Sequence, residues 1–312
     1  MDTAAAPRSL RLLPGRPYAF DHALTYFTRR AGELVDRAED GVYRRLLVLT
    51  HGPALAEVRP CADGSLTLLL RGADGGAAPT ETEIEAAART LTRTLGLDDD
   101  LAGFRAAVAG DAPLAGLVRR FPGLRLISTP SPFEAFAWAV LGQQISLHVA
   151  FRLKAALVRR CGTTALINGE AYWAFPTAER LAAENPDELA ALGLGRRKAA
   201  TIVHVAGLVA GGSLKLDTLG CLPLAEAEQE LVALHGVGPW TARYTLLRGL
   251  RVADACPVSD GGLMVACGSL YGLGRKASVA EVAAFSERWR PYRGYAAFYL
   301  WFMLARMGRS DG

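Results

Sequence analysis

Two stretches of this chain carry residues suited to chemistry. In Leu234-His235-Gly236-Val237-Gly238-Pro239-Trp240-Thr241-Ala242-Arg243-Tyr244, two glycines sit two apart ahead of a proline. Both glycines could take φ > 0 and turn successive N–H groups outward, and proline suits the first turn of a helix. Such a turn either cradles an anion at the positive end of a helix or simply joins two helices. Pro257-Val258-Ser259-Asp260 then presents a carboxylate before Gly261-Gly262-Leu263, where Ser259 or Asp260 would also serve as an ordinary N-cap. Leu192-Gly193-Leu194-Gly195-Arg196-Arg197-Lys198 echoes the first stretch. It reads as a second phosphate clamp with three cations beside it, or as another helical hairpin with a solvated basic face.

The surrounding pattern supplies elements to position these residues. After a lead rich in proline and alanine, residues 20–39 read as a helix, with Leu24, Phe27, Ala31 and Leu34 at helical steps. Residues 43–49, 54–59 and 65–70 read as short strands separated by hairpin turns, and Thr80-Glu81-Thr82-Glu83 is a capping pattern for a helix over 80–95. Beyond this point the reading is helical throughout: 101–108, 113–120, 132–160, 171–175, 178–184, 186–192, 196–210, 224–234, 239–250, 262–270, 279–289 and 292–307.

The 312 residues, 51% hydrophobic and 21% charged, describe a globular chain with a large core. A net charge of +4 permits a polyanionic partner without requiring one. Cys61, Cys161, Cys221, Cys256 and Cys267 are odd in number and widely spaced, which argues for reduced thiols and against a zinc or iron–sulfur site. The five histidines show no ligand spacing. With no signal peptide and no apolar run of membrane-spanning length, a cytoplasmic chain without a membrane partner is expected.

The Gly-x-Gly hairpin joined to an Asp in the following loop resembles the helix-hairpin-helix DNA glycosylase superfamily. Within it, the chain is most similar to the alkylation-inducible DNA-3-methyladenine glycosylase II family. That resemblance runs through Pro17-Tyr18, Tyr26-Phe27-Thr28-Arg29-Arg30-Ala31, Leu141-Gly142-Gln143-Gln144-Ile145-Ser146 and Glu287-Arg288-Trp289-Arg290-Pro291-Tyr292-Arg293. It implies an α+β fold, with a small antiparallel sheet and helices over 1–96 and an all-α two-lobed region over 97–312. The lobes are expected at roughly 121–250, containing the hairpin, and at 97–120 with 251–312.

The resemblance also implies a site. Asp260 would stabilise an oxocarbenium-like sugar or orient water. Trp240, Tyr244, Trp301, Tyr26 and Phe302 would wall a pocket for a flipped, electron-poor base, although aromatics at helical spacing also read as core. Gln144, with Gln143 beside it, would fill the gap left in the DNA stack; a polar wedge departs from the apolar residue a close relative can have. Gly236, Gly238 and Thr241 would hold phosphate, and the carbonyls of Val232, Leu234 and Val237 would ligate Na⁺ or K⁺.

Bifunctional relatives carry a nucleophilic Lys where Trp240 stands here, so lyase chemistry should be absent. No cysteine follows Cys267, so the iron–sulfur cluster of some relatives is not expected. His235 replaces a frequent proline, and Gly261-Gly262 either loosens the catalytic loop or widens the room near the sugar.

The expected protein is a monomeric, nucleoid-associated, monofunctional enzyme with no cofactor for its chemistry. It acts on double-stranded DNA containing alkylated bases such as 3-methyladenine and 7-methylguanine. The alternatives are a glycosylase for hypoxanthine, etheno-adenine or another damaged purine, and a non-catalytic module that only binds lesions.

Overall fold

A computed structural model describes residues 6–28 and 32–307; Arg29, Arg30 and Ala31 of the motif near the start lie outside the described residues. In chain order the N-terminal elements are β1 (Arg8–Leu12), α1 (Phe20–Thr28), β2 (Asp36–Glu39), β3 (Val42–Leu49), β4 (Gly52–Pro60), β5 (Leu66–Gly72) and α2 (Glu81–Leu95). Next come α3 (Leu101–Val108), α4 (Ala112–Arg120), α5 (Pro132–Gly142), α6 (Leu147–Cys161), β6 (Thr163–Ile167), β7 (Glu170–Ala174), α7 (Ala178–Ala182) and α8 (Pro186–Leu189). The last are α9 (Arg196–Ala210), α10 (Leu224–Val232), α11 (Pro239–Leu250), α12 (Gly261–Leu270), α13 (Val279–Glu287) and α14 (Arg293–Met307). Among the described residues, no helix is long and apolar enough to cross a membrane.

By packing, the chain divides into Met1–Asp98 with Val140–Leu214, and Asp99–Ala139 with Lys215–Gly312. This differs from the expected lobes at 121–250 and at 97–120 with 251–312. Residues 215–250 belong with 251–312, because α11 is tied to the loop after it through Arg243, which donates to the Cys256 carbonyl at 3.3 Å.

The first unit contains a five-stranded antiparallel sheet in the order β1-β5-β4-β3-β2. Tyr43 faces Val58 across β3 and β4, and Val58 faces Leu68 across β4 and β5, so one face of the sheet is a run of fully buried side chains. Helix α2 begins with a reciprocal capping box between Thr80 and Glu83 and ends on Gly96 at φ +66, as its sequence pattern predicts.

The expected helix over 20–39 is shorter. Gly32 at φ +85 turns the chain, and Asp36 then pairs with Arg45 in the sheet. The lead segment supplies β1, which adds to β5.

The strands also do not stop at residue 100. Residues 171–175, read as helix, are mostly β7, hairpinned to β6 through Asn168 at φ +52 and Gly169 at φ +76. Both turn amides donate to the Asp74 carboxylate at 2.8 Å, and Ala165, Ile167, Tyr172 and Ala174 share one apolar cluster with Leu46 and Leu55 of the sheet.

The expected helix over 132–160 is two helices. Gln144 sits at φ +56, and Ser146 accepts from Val149 N at 3.4 Å, capping a new helix. On α6, Lys154 bonds both oxygens of Glu33 at 2.9 Å, so this buried cation is paired.

The second unit is helical. Gly249 lets α11 close on the start of α5, where an added β-carbon would lie 2.8 Å from Pro132 Cα. The buried Arg248 guanidinium bonds Ile127 O at 2.6 Å. Helix α14 is apolar nearly throughout, and Trp289, Tyr295, Phe298 and Tyr299 fill the unit's interior.

Candidate active site

The turn between α10 and α11 uses one left-handed glycine rather than two. Gly236 adopts φ +83, whereas Gly238 is extended at φ −106 and is the N-cap of α11. Val237 N donates to Leu234 O at 3.1 Å, closing the turn in one step and removing the need for a second positive φ. With Pro239 in its first turn and no side-chain cap, α11 presents the kind of N-terminus that receives an anion. Thr241 is buried, which leaves only its main chain for a phosphate contact.

Arg243 on α11 bonds both oxygens of Glu228 on α10 at 2.9 Å. Together with its bond to Cys256 O, this ties the hairpin to the 251–260 loop. That loop ends in a tight turn, Asp260 N donating to Pro257 O at 2.8 Å. Asp260 then caps α12, its Oδ1 accepting from Leu263 N at 2.8 Å. The N-cap role is therefore real.

It is not the whole role. Trp301 Nε1 donates to Asp260 Oδ1 at 2.8 Å, and Trp240 Nε1 donates to Oδ2 at 3.0 Å. Among the described residues, Asp260 forms no ion pair, and it is only half-buried. Two indoles thus orient the carboxylate without neutralising it.

The rings continue around it. Trp240 and Tyr244 have centroids 5.5 Å apart at 33°, and Tyr244 and Trp301 lie 5.9 Å apart at 42°. All three are half-buried, so faces remain for a flat ligand. Tyr244 is fixed from behind: its hydroxyl accepts from Trp138 Nε1 at 2.8 Å and from Arg248 Nη1 at 3.3 Å. Neither Trp138 nor Arg248 is foreseeable from the sequence pattern, since Trp138 sits in an apolar run and Arg248 in an ordinary helical position.

Other expected wall residues are placed differently. Phe302 is 1% exposed and packs edge-on against Phe121 at 5.1 Å, so it is core and not a pocket wall. Trp301 and Phe302 are neighbours on α14, roughly 100° apart around the helix, so only one of them can face the carboxylate. Tyr26 is half-buried on α1 of the first unit, edge-on to Phe27 at 5.4 Å. Gln144 is exposed at the tip of the α5–α6 turn, with Gln143 N bonded to Val140 O at 3.3 Å beside it.

Gly261 and Gly262 are the first two residues of α12 and belong to a regular helix rather than a loose loop. A β-carbon at 262 would lie 3.3 Å from Asp260 Oδ1 and 3.6 Å from Leu304 Cδ2, so glycine there keeps space beside the carboxylate.

Known proteins resemble this chain along most of its length. The profile of HhH-GPD superfamily base excision DNA repair proteins matches residues 137–291, and that of the AlkA N-terminal domain matches residues 9–131. DNA-3-methyladenine glycosylase of Bacillus subtilis is 33% identical over 90% of this chain and 92% of its own length. DNA-3-methyladenine glycosylase 2 of Escherichia coli is 29% identical over 92% and 94%, respectively. The structure of a 3-methyladenine DNA-glycosylase from Archaeoglobus fulgidus superposes with a TM-score of 0.81 at 28% identity, covering 96% of this chain and 98% of that one.

Proposed function

This chain belongs to the HhH-GPD superfamily of base excision DNA repair proteins and, within it, to the DNA-3-methyladenine glycosylases, and we propose that it excises N-alkylated purines such as 3-methyladenine and 7-methylguanine from double-stranded DNA. The carrying observation is Asp260, held by two indole N–H groups and bordered by three aromatic rings, with no cation beside it among the described residues.

Alkylation at a ring nitrogen makes the base cationic and a good leaving group, so little acid catalysis is needed. The base stacks on the electron-rich faces of Trp240, Tyr244 and Trp301 after leaving the duplex. As the glycosidic bond lengthens, the sugar gains positive charge, and a carboxylate already oriented and not neutralised stabilises it without reorganisation. Water completes hydrolysis, leaving an abasic site and the free base. The amides of Gly236, Gly238 and Thr241 grip the DNA backbone, and Gln144 and Gln143 occupy the gap in the stack.

A sodium or potassium ion on the carbonyls of Val232, Leu234 and Val237 belongs to the same reading. Helix α10 ends at Val232, so this all-oxygen set begins at the negative end of a helix, which suits a hard cation. The ion would supply positive charge toward a phosphate.

Monofunctional chemistry is part of the proposal, because Trp240 offers no amine for a Schiff base with the sugar. The test is release of free base from methylated duplex DNA, with hypoxanthine and etheno-adenine duplexes alongside and borohydride added to trap any covalent adduct. Methylated base is expected to be released, with intact strands and no adduct. Preferential release of a neutral lesion would move the substrate class, trapped adduct would overturn the monofunctional reading, and binding without any release would favour a lesion-binding module.

A further inference from the structure

The glycine hairpin over 192–198 has no place in the chemistry above, and its contacts show what it holds. Gly193 at φ +96 and Gly195 at φ +80 turn the chain out of the wide turn Ala190–Leu194 and into α9. Gly193 backs onto α6, where an added β-carbon would lie 3.4 Å from Leu153 Cδ2. One turn into α9, half-buried Lys198 donates from Nζ to Leu141 O at 2.8 Å. Desolvation pulls this ammonium below the usual lysine pKa, in keeping with a group turned inward toward a carbonyl.

Leu141 is the penultimate residue of α5, where carbonyls run out of helical donors and the negative end of the helix favours a cation. The chain then leaves α5 at Gly142, passes Gln143, and reaches Gln144 in the left-handed region at φ +56, a conformation that persists in a non-glycine residue only when its surroundings enforce it. Ser146 caps α6 on the far side. The 192–198 hairpin therefore reaches both helices that flank this turn: Gly193 lies against Leu153 of α6 and Lys198 bonds the Leu141 carbonyl of α5.

We propose that Lys198 is a positioning residue for DNA insertion: by capping the end of α5 at Leu141, it holds the Gln143–Gln144 turn in the raised conformation that enters the base stack. The 192–198 hairpin is thus a bracket for the wedge rather than a second phosphate clamp. The inference rests on the reading of Gln144 as a wedge, so its test includes a signal independent of excision.

The experiment compares the wild type with Lys198→Met, Lys198→Arg, Gln144→Ala and the double variant Lys198→Met/Gln144→Ala. Single-turnover release is measured from a 7-methylguanine duplex and from the same lesion opposite an abasic analogue, where unstacking costs less. Lys198→Met is expected to slow the paired duplex by about tenfold and the unpaired one by less than about twofold, because only the first demands a well-held wedge. Lys198→Arg should restore most of the rate, and the double variant should be no slower than Gln144→Ala alone.

Fluorescence of 2-aminopurine placed beside an abasic analogue reports insertion with no excision step, and its rise on binding should fall in Lys198→Met and Gln144→Ala alike. Equal slowing on both duplexes would make Lys198 merely structural, and an unchanged rate and fluorescence would also overturn the proposal. If the wild type releases no base while the fluorescence still depends on Lys198, the excision reading fails and the bracket stands.

Discussion

Asp111 and Asp260 hold the same local post in the second unit. Each is the N-cap of a helix and accepts the N–H three residues on, from Leu114 at 3.2 Å and from Leu263 at 2.8 Å. Each also collects aromatic donors: Tyr271 Oη at 2.6 Å and Trp289 Nε1 at 3.1 Å for Asp111, and the indoles of Trp301 and Trp240 for Asp260. The difference lies in what neutralises them. The side chain of Asp111 is fully buried and paired with Arg288 Nη2 at 3.1 Å, while Asp260 is half-buried and has no ion pair among the described residues. A capped, aromatic-bonded aspartate serves as a structural module at Asp111; the proposed function makes Asp260 the reactive counterpart, with its cation left out and a face left open.

Exchanging each carboxylate for an isosteric amide puts this contrast at greatest risk. Asparagine caps helices about as well as aspartate, so Asp260→Asn should melt near the wild-type temperature yet lose excision by roughly 10²–10³-fold, the scale of removing one preorganised electrostatic group. Retained excision would return Asp260 to the status of a plain cap. Asp111→Asn should do the reverse, lowering unfolding free energy by about 1–3 kcal/mol through lost charge-assisted bonds while leaving the rate per folded molecule within about twofold. Denaturant titration beside single-turnover kinetics separates the two.

Smaller changes sharpen the same contrast. Trp301→Phe keeps a ring but removes the N–H that orients Asp260, and an excision rate reduced by about three- to tenfold is expected, equivalent to roughly one hydrogen bond. An unchanged rate would assign the orientation of Asp260 to Trp240 and the cap alone.

Tyr271→Phe removes a donor from Asp111 and should cost about 1 kcal/mol at neutral pH. Burial first, then the bond to Asp111 and its charge, raise the Tyr271 hydroxyl above its ordinary value of 10.0. A raised folded-state pKa stabilises below the unfolded value and is lost as pH rises, so the stability gap between wild type and Tyr271→Phe should be flat to about pH 9 and narrow above about pH 10. A gap that widened in alkali would contradict the sealed state of Asp111.

Much of the scaffold was legible because local chemistry and periodicity agree there. Helices α3, α9 and α11 begin and end where pattern and breakers place them, and the box opening α2 forms as Thr80 and Glu83 predict. The hairpin of β6 and β7 was missed although Asn168-Gly169 is a strong two-residue turn signal, because the apolar run after it has no clear alternation.

The site was legible where a backbone motif announces it and obscure where only tertiary packing decides. Asp260 and Trp240 are singled out by the hairpin and loop through their resemblance to the family motif, whereas a helix as uniformly apolar as α14 carries no periodicity to tell the inward Phe302 from Trp301. The left-handed Gln144 was hidden for a related reason: glutamine has no preference for positive φ, so nothing in its residue type marks the break between α5 and α6.

The hairpin of β6 and β7 bears finally on how this chain can be divided. Its Ile167 and Tyr172 are covered by Leu46 and Leu55 of the N-terminal sheet, and its turn amides are held by Asp74 from the same region. Cutting away the first hundred residues would not release a self-sufficient helical cassette; it would strip an apolar strand pair of its cover and leave two backbone donors without their carboxylate. A variant of this architecture that dispensed with the sheet would need to rewrite the hairpin in polar residues or delete it, so the N-terminal region and the distant strand pair Thr163–Ile167 and Glu170–Ala174 are bound to change together.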